Sequence, residues 1–277
     1  MIMISGSLVS LDDIIKQYQL DTVETKIMNI LFSSNTVYSY DSTEQLRFEA
    51  SLRKSIIGAS LKLYRSYFSF RTFRDSVCNP DYWIRTNEGG FLLKRGINPS
   101  DGINDIYTNS SKYGTECATA IVIVFYKGLL DILPQELFNR LFAGIYLMDW
   151  QHLDSDLGIE YYRNPADHLP GDCRYFKNPD VSPETPEWQG ENTIDLGNGT
   201  YYGHGMGIKT ADEIIGTLNR YRVEGSVTSA YLMNSATRPN FRSLADKYLG
   251  FGSRRAASSL GLAERRQNRP GAVRPSL

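Results

Sequence analysis

Cys117 lies in the stretch Tyr113-Gly114-Thr115-Glu116-Cys117-Ala118-Thr119-Ala120-Ile121-Val122-Ile123-Val124, a thiol beside a carboxylate at the mouth of an apolar run that continues to Leu133. With Thr115 as helix N-cap, Cys117 is the second helical residue. There its backbone N–H has no intrahelical acceptor and the helix macrodipole is positive. Both effects favour the thiolate, and the free N–H groups suit an oxyanion at a substrate carbonyl. Glu116 opposes this, because its charge raises the thiol pKa unless it points away.

A nucleophilic cysteine needs a base, and three histidines restrict the search. His152 and His168 lie in loop-rich sequence. His204 lies in Tyr202-Gly203-His204-Gly205-Met206-Gly207, where the flanking glycines let other backbone or a ligand approach. A hairpin is predicted with strands Trp188–Leu196 and Thr200–Ile208. A turn at Gly197-Asn198 sets Glu191 opposite His204. A turn at Asn198-Gly199 sets Thr193 opposite His204, with Glu191 two residues away on the same face. A three-residue loop would place Glu191 and His204 on opposite faces. A cysteine with a carboxylate and a histidine on neighbouring strands suits acyl transfer through a thioester. A helix-borne cysteine facing strand-borne partners is also the plan of papain-like folds. These residues alone leave amide hydrolysis and transfer to an amine both open.

The elements that must position these groups are mixed. Residues 1–9 read as a strand ending at Gly6, then a short helix capped by Asp12 or Asp13. Asp41 or Ser42 caps a long helix reaching about Tyr64, with Leu46, Ala50, Arg53 and Ile57 at helical spacing. Asn87-Glu88-Gly89-Gly90 turns a second hairpin, and Pro99 starts a helix to about Tyr107. The run 116–133 has β-branched residues but is too long for an ordinary strand, so it reads as a buried helix ended by Pro134. Residues 135–141 form a short helix and 144–150 a strand. A strand lies around Cys173–Phe176. Thr210 with Glu213 is a capping box for a helix to about Glu224, and a strand follows at 229–233. Phe68, Phe70 and Phe73 read as core filling, or as the lining of a groove.

The totals exclude several classes. With 277 residues, 41% of them hydrophobic, the chain has enough material for a substantial core. A net charge of −1 gives no reason to expect nucleic acid or a membrane surface as partner. No secretion signal is visible, and the apolar run from Cys117 is short for a bilayer span. Cys78, Cys117 and Cys173 form no CxxC pair, which argues against a zinc ribbon or a redox dithiol. No metal-ligand cluster is evident. Beyond Gly250 the sequence contains six Arg and one Glu with little apolar matter, and reads as a basic, disordered tail over 250–277.

Five segments carry a resemblance: Glu116-Cys117-Ala118-Thr119-Ala120-Ile121-Val122-Ile123, Gly171-Asp172-Cys173-Arg174-Tyr175-Phe176-Lys177-Asn178-Pro179, Trp188-Gln189-Gly190-Glu191-Asn192, His204-Gly205-Met206-Gly207-Ile208 and Ser229-Ala230-Tyr231-Leu232. Through these the chain resembles the spore-coat protein-glutamine γ-glutamyltransferases, or transglutaminases, of Bacillus and related spore formers. The resemblance implies an α+β fold in a single catalytic domain over 1–249, with an NlpC/P60-like, papain-like core and the nucleophile at the start of a buried helix packed on an antiparallel sheet. It implies a calcium-independent enzyme without cofactor that joins protein glutamine to protein lysine as isopeptide cross-links and releases ammonia. Cys117 would be the nucleophile, Glu191 its partner carboxylate, His204 a neighbour in the site and Glu116 a substitute base. Trp188, Phe70, Trp150 and Met206 would wall a passage to the cysteine. Cys78 and Cys173 would be structural. Spore coat proteins would be the substrates, with synthesis in the mother-cell cytoplasm and placement in the coat. Two other readings are a cysteine amidase or peptidase acting on cell-wall peptides, and a non-catalytic coat protein.

Overall fold

The computed structural model describes residues 1–150 and 152–267, with side chains as far as Arg255. Strand β1 (Ile2–Ile4) turns into β2 (Ser7–Leu8) through Ser5 and Gly6, both left-handed at φ 49° and 81°, as a two-residue hairpin demands. Helices α1 (Leu11–Gln17) and α2 (Thr22–Ser33) follow, and β3 (Tyr38–Tyr40) pairs in parallel with β1. Ser10 caps α1, in place of the expected Asp12 or Asp13, because its Oγ reaches the Asp13 N–H at 3.2 Å. Helix α2 has no counterpart in the sequence reading.

Helix α3 (Thr43–Tyr64) starts where the Ser42 Oγ accepts from the Gln45 N–H, as its sequence predicts. The chain then forms β4 (Ser69–Phe70), the hairpin of β5 (Trp83–Arg85) and β6 (Phe91–Leu93), α4 (Pro99–Thr108) and β7 (Gly114–Thr115). Helix α5 (Cys117–Ile132) is the apolar run, buried from Ala118 to Leu129. It packs along α3 on one side and against the main sheet on another. Cover on both sides explains why its sequence is apolar nearly all round. Helix α6 (Gln135–Leu141) and β8 (Tyr146–Leu147) follow, and β8 pairs with β6.

The main sheet contains β9 (Glu160–Arg163), β10 (Cys173–Lys177), β11 (Gly190–Asp195), β12 (Thr200–Gly203), β13 (Gly207–Thr210), β14 (Tyr231–Leu232) and β15 (Ser235–Arg238). Its order is β13-β12-β11-β10-β15-β9, with β14 also on β10, and its described pairings are antiparallel. Helix α7 (Ala211–Asn219) begins with the expected Thr210–Glu213 capping box. Helix α8 (Phe241–Gln267) packs on α3. The architecture is a single α+β domain with a buried helix on an antiparallel sheet.

Three further expectations differ from this fold. The strand foreseen over 200–208 is two strands, β12 and β13, broken by a turn at His204–Met206. Gly205 and Gly207 stand there at φ 99° and 82°, a backbone that interrupts a strand. The hairpin from β11 to β12 has a three-residue loop, Gly197-Asn198-Gly199, with Thr193 opposite Gly203 and Leu196 closing on Thr200. The basic stretch expected to be disordered continues α8 as far as Gln267, in keeping with its Ala, Leu, Arg and Glu content. Residues 268–277 lie outside the described residues.

A buried ion network fastens the main helix layer to the sheet. Asp172, with no exposed surface, accepts from Arg53 Nη1, Arg238 Nε and Arg238 Nη2, each at 2.7 Å, and from the Leu169 N–H at 2.9 Å. Arg53 also donates to Glu49 at 2.9 Å. Burial opposes the Asp172 charge, but Arg53 and Arg238 outweigh it and hold the carboxyl below its ordinary 3.8. Asp172→Ala would leave Arg53 buried without its counter-ion, and is expected to cost about 3–5 kcal/mol in urea unfolding at pH 7. Because the folded-state pKa is depressed, this stabilisation is present above the unfolded value and disappears as pH falls through the folded one. The wild-type and Asp172→Ala unfolding curves should therefore converge below pH 3.8.

Candidate active site

Strand β7 delivers the chain to Cys117. It pairs in parallel with β4, and the Arg71 N–H donates to the Thr115 carbonyl at 2.9 Å. Glu116 then caps α5, at φ −81° and ψ 175°. Its carboxylate accepts from the Thr119 N–H at 2.7 Å and from the Ala118 N–H. The cap is therefore Glu116, one residue later than Thr115, and Cys117 is the first helical residue. A carboxylate at a helix N-terminus satisfies orphan donors and complements the macrodipole, so the one-residue shift has a direct electrostatic reason. It also occupies the Ala118 and Thr119 N–H groups that seemed free to hold an oxyanion.

Cys117 is half-buried and faces a cavity of about 840 Å³. Phe70, Trp150, Tyr175 and Pro186 contribute apolar wall, while Arg74, Asp149, Glu187 and Asn192 contribute polar groups. The Asn192 Nδ2 donates to the Cys117 Sγ at 3.6 Å. Burial pushes the thiol well above its ordinary value, the charges of Glu191 and Glu116 add to this, and the Asn192 donors act in the opposite sense. The helix start therefore does not by itself make a thiolate here.

Glu191 sits on β11 with 4% of its surface exposed, and its Oε1 has no hydrogen-bond partner. Burial, and then the charge of Glu116, push its pKa well above 4.5. Its carboxyl is accommodated because residue 203 is glycine: a Cβ there would meet the Glu191 Oε1 at 2.7 Å. Glu116 is likewise raised, chiefly by burial, despite the hydrogen bonds it accepts. Cys117, Glu191 and Glu116 thus form one electrostatically linked group.

His204 is engaged elsewhere. It lies in the turn after β12, 4% exposed, with its Nε2 3.1 Å from the Ser69 carbonyl and its Nδ1 3.2 Å from the Tyr202 hydroxyl. A carbonyl only accepts, so Nε2 carries the proton and Nδ1 accepts from Tyr202. The Phe68 and Phe70 rings lie 4.8 and 6.1 Å away. Burial lowers its pKa to about 4, against the opposing pull of the Ser69 and Thr115 backbone. His204 is a neutral brace between β12 and the β4–β7 pair. The three-residue loop removes the cross-strand pairing with Glu191 that a two-residue turn would have made.

The four wall candidates divide. Phe70 and Trp150 line the cavity. Gly205 lets Phe70 lie against the turn, since a Cβ there would meet the ring at 2.7 Å. Trp188 instead stacks flat on Tyr221, ring centres 4.0 Å apart, and Met206 is buried with Phe176, Ile214 and Leu218 in a satellite core. Both are aromatic or apolar residues that found packing partners nearer than the cavity. Asn192 received no role from its sequence. The one signal was its place beside Glu191 in the segment Trp188-Gln189-Gly190-Glu191-Asn192.

Comparison with known proteins agrees with the fold. A family model described as "Protein-glutamine gamma-glutamyltransferase" matches residues 1–248. The chain is 50% identical over 217 residues to the protein-glutamine gamma-glutamyltransferase of Bacillus cereus (strain B4264), covering 78% of each chain. A Bacillus anthracis (strain CDC 684 / NRRL 3495) protein of the same name is 49% identical over the same length, again with 78% of each chain covered. Among solved structures, a transglutaminase from Geobacillus stearothermophilus without its C-terminal extension is 52% identical at a TM-score of 0.71, over 75% of this chain and 98% of that one.

The raised thiol has a direct readout. Alkylation of Cys117 by iodoacetamide, followed by peptide mapping, is expected to accelerate continuously from neutral pH past the ordinary thiol value of 9.0. A plateau near neutrality would show a thiolate already formed. Buried Cys173 should label far more slowly.

Proposed function

The chain belongs to the protein-glutamine gamma-glutamyltransferase family, and on that premise we propose that it joins protein glutamine to protein lysine through a thioester on Cys117. The observation that carries this reading is the coupling of half-buried Cys117, at the head of α5, to the buried Glu191 carboxyl on β11, beside a largely apolar cavity. A carboxyl raised by burial is suited to take and return a proton near neutral pH. In the reactive state the pair holds one proton. Cys117 passes it to the Glu191 carboxylate as Sγ adds to the γ-carboxamide carbon. Glu191 gives it to the departing ammonia. A lysine amine then adds to the thioester and loses a proton to Glu191, which returns that proton to the leaving sulfur. The apolar wall of Phe70 and Trp150 limits water at the thioester, whose hydrolysis would yield glutamate.

The other site residues take supporting parts. Glu116 caps α5, and it can act as a substitute base only by releasing the cap. His204 holds β12 in register with the strand pair that delivers Cys117. The acyl-transfer unit spans residues 1–249. By resemblance to the spore-coat enzymes, catalysis is independent of calcium, and the physiological substrates are coat proteins, reached after synthesis in the mother cell. Among the described residues no helix is long and apolar enough to cross a membrane.

The test is incorporation of a fluorescent primary amine into a glutamine-bearing protein, with and without a calcium chelator. The chelator should leave the rate unchanged. Cys117→Ala should abolish incorporation, and Glu191→Gln should cost far more than Glu116→Gln. Equal losses would assign the base wrongly. Turnover requires the pair to lose one of its two protons, and burial raises both, so kcat/KM should rise with pH along a limb lying above the ordinary 4.5 of a glutamate. A limb at or below that value would remove Glu191 from the proton-transfer role.

A further inference from the structure

We propose that Asn192 is a catalytic residue of this site: its side-chain amide holds the Cys117 sulfur at rest and the γ-carboxamide oxygen in the tetrahedral intermediate, with Cys173 fixing which way the amide faces. This rests on the thioester reading. The first support is a process of supply. An oxyanion formed at Cys117 needs preorganised donors, and the Ala118 and Thr119 N–H groups already donate to the Glu116 carboxylate. The Cys117 N–H, at the first helical position, has no acceptor within the helix. A second donor must come from across the cavity. Asn192 lines that cavity, and its Nδ2 stands 3.6 Å from Sγ.

The second support is orientation. An amide presents either its oxygen or its nitrogen to a neighbour, and only the nitrogen donates. Cys173 is buried on β10, next to β11, and its Sγ lies 3.9 Å from the Asn192 Oδ1. Burial holds the Cys173 thiol protonated, so it donates S–H to Oδ1 and turns Nδ2 toward Cys117. The two thiols thus occupy the two ends of one amide. This gives Cys173 a positioning role through Asn192, although it never reaches the substrate.

The chemistry balances with the groups named. As Sγ bonds to the carboxamide carbon, the carbonyl π pair moves to oxygen and the thiol proton goes to Glu191. That oxygen is two bonds from the sulfur. A donor already within reach of Sγ can transfer its hydrogen bond to it without moving the strand. On collapse the C=O bond re-forms, ammonia leaves with the proton from Glu191, and the amide returns to the thioester sulfur. The same donor serves again when lysine attacks.

The experiment uses the full chain and two readouts. Asn192→Ala should lower kcat for amine incorporation by about 10²–10³-fold, leave KM for the glutamine substrate essentially unchanged, and move the pH profile of Cys117 alkylation upward. Asn192→Asp, of equal size but without the N–H donors, should show the same kcat loss, and it decides the matter if the alanine protein melts early. Cys173→Ala should lower kcat less than either, and Cys173→Ser, which keeps a donor to Oδ1, should restore it. Wild-type kcat with an unmoved alkylation profile in the Asn192 variants overturns the proposal while Cys117→Ala stays inactive. An active Cys117→Ala enzyme instead overturns the thioester reading itself. Equal activity in Cys173→Ala and the wild type overturns the orienting role.

Discussion

A buried carboxyl group set beside a half-buried thiol is the constraint on which this protein depends. Neither group ionises readily in that setting, because the charged form of each loses its hydration and meets the other's charge. Burial and the neighbouring charges hold both groups toward their protonated forms, and the two titrate as a linked pair. Such an arrangement survives only where the surroundings leave it no alternative. Helix α5 is buried nearly all round, Gly203 admits the Glu191 carboxyl, and the Arg53–Asp172–Arg238 network binds α3 to the sheet behind them.

The start of α5 illustrates how one side chain alters the role of its neighbours. A helix N-terminus with free N–H groups would attract an anion to Cys117. Glu116 takes that place itself, through the Ala118 and Thr119 N–H groups. The helix is stabilised and the thiol is not. The groups that bear on the sulfur from the sheet are Glu191, through its charge, and Asn192, through its Nδ2, adjacent residues on β11. One hairpin strand thus brings a raised carboxyl and a hydrogen-bond donor to bear on Cys117, while His204, beyond the following strand, fastens the strand pair in front of the site.

Much of this was legible in the sequence where the determinant is local. Ser42 and the Thr210–Glu213 box cap their helices because a side-chain oxygen three residues from an orphan N–H needs nothing distant to reach it. The 116–133 run is a helix because no ordinary strand is that long. Cys117 and Glu116 stood out because a thiol beside a carboxylate opens an apolar element, whereas Glu191 was reached through a hairpin register with His204 that the fold does not have and through the family resemblance.

Tertiary structure alone decided the rest. One additional residue in the loop at Gly197–Gly199 reverses the side-chain alternation across the hairpin, and glycine-rich text is compatible with either loop length. That took His204 out of cross-strand register with Glu191, and its Nε2 meets the Ser69 carbonyl, 135 residues away in sequence. Trp188 and Met206 left the cavity for the same kind of reason, since packing partners such as Tyr221 and Phe176 are set by the fold and not by spacing. The sequence by itself determined which groups could react and which elements carry them. Only the folded chain decided their neighbours, because the burial, the carboxyl charges and the Cys173–Asn192–Cys117 alignment that tune them come from residues brought together over long separations.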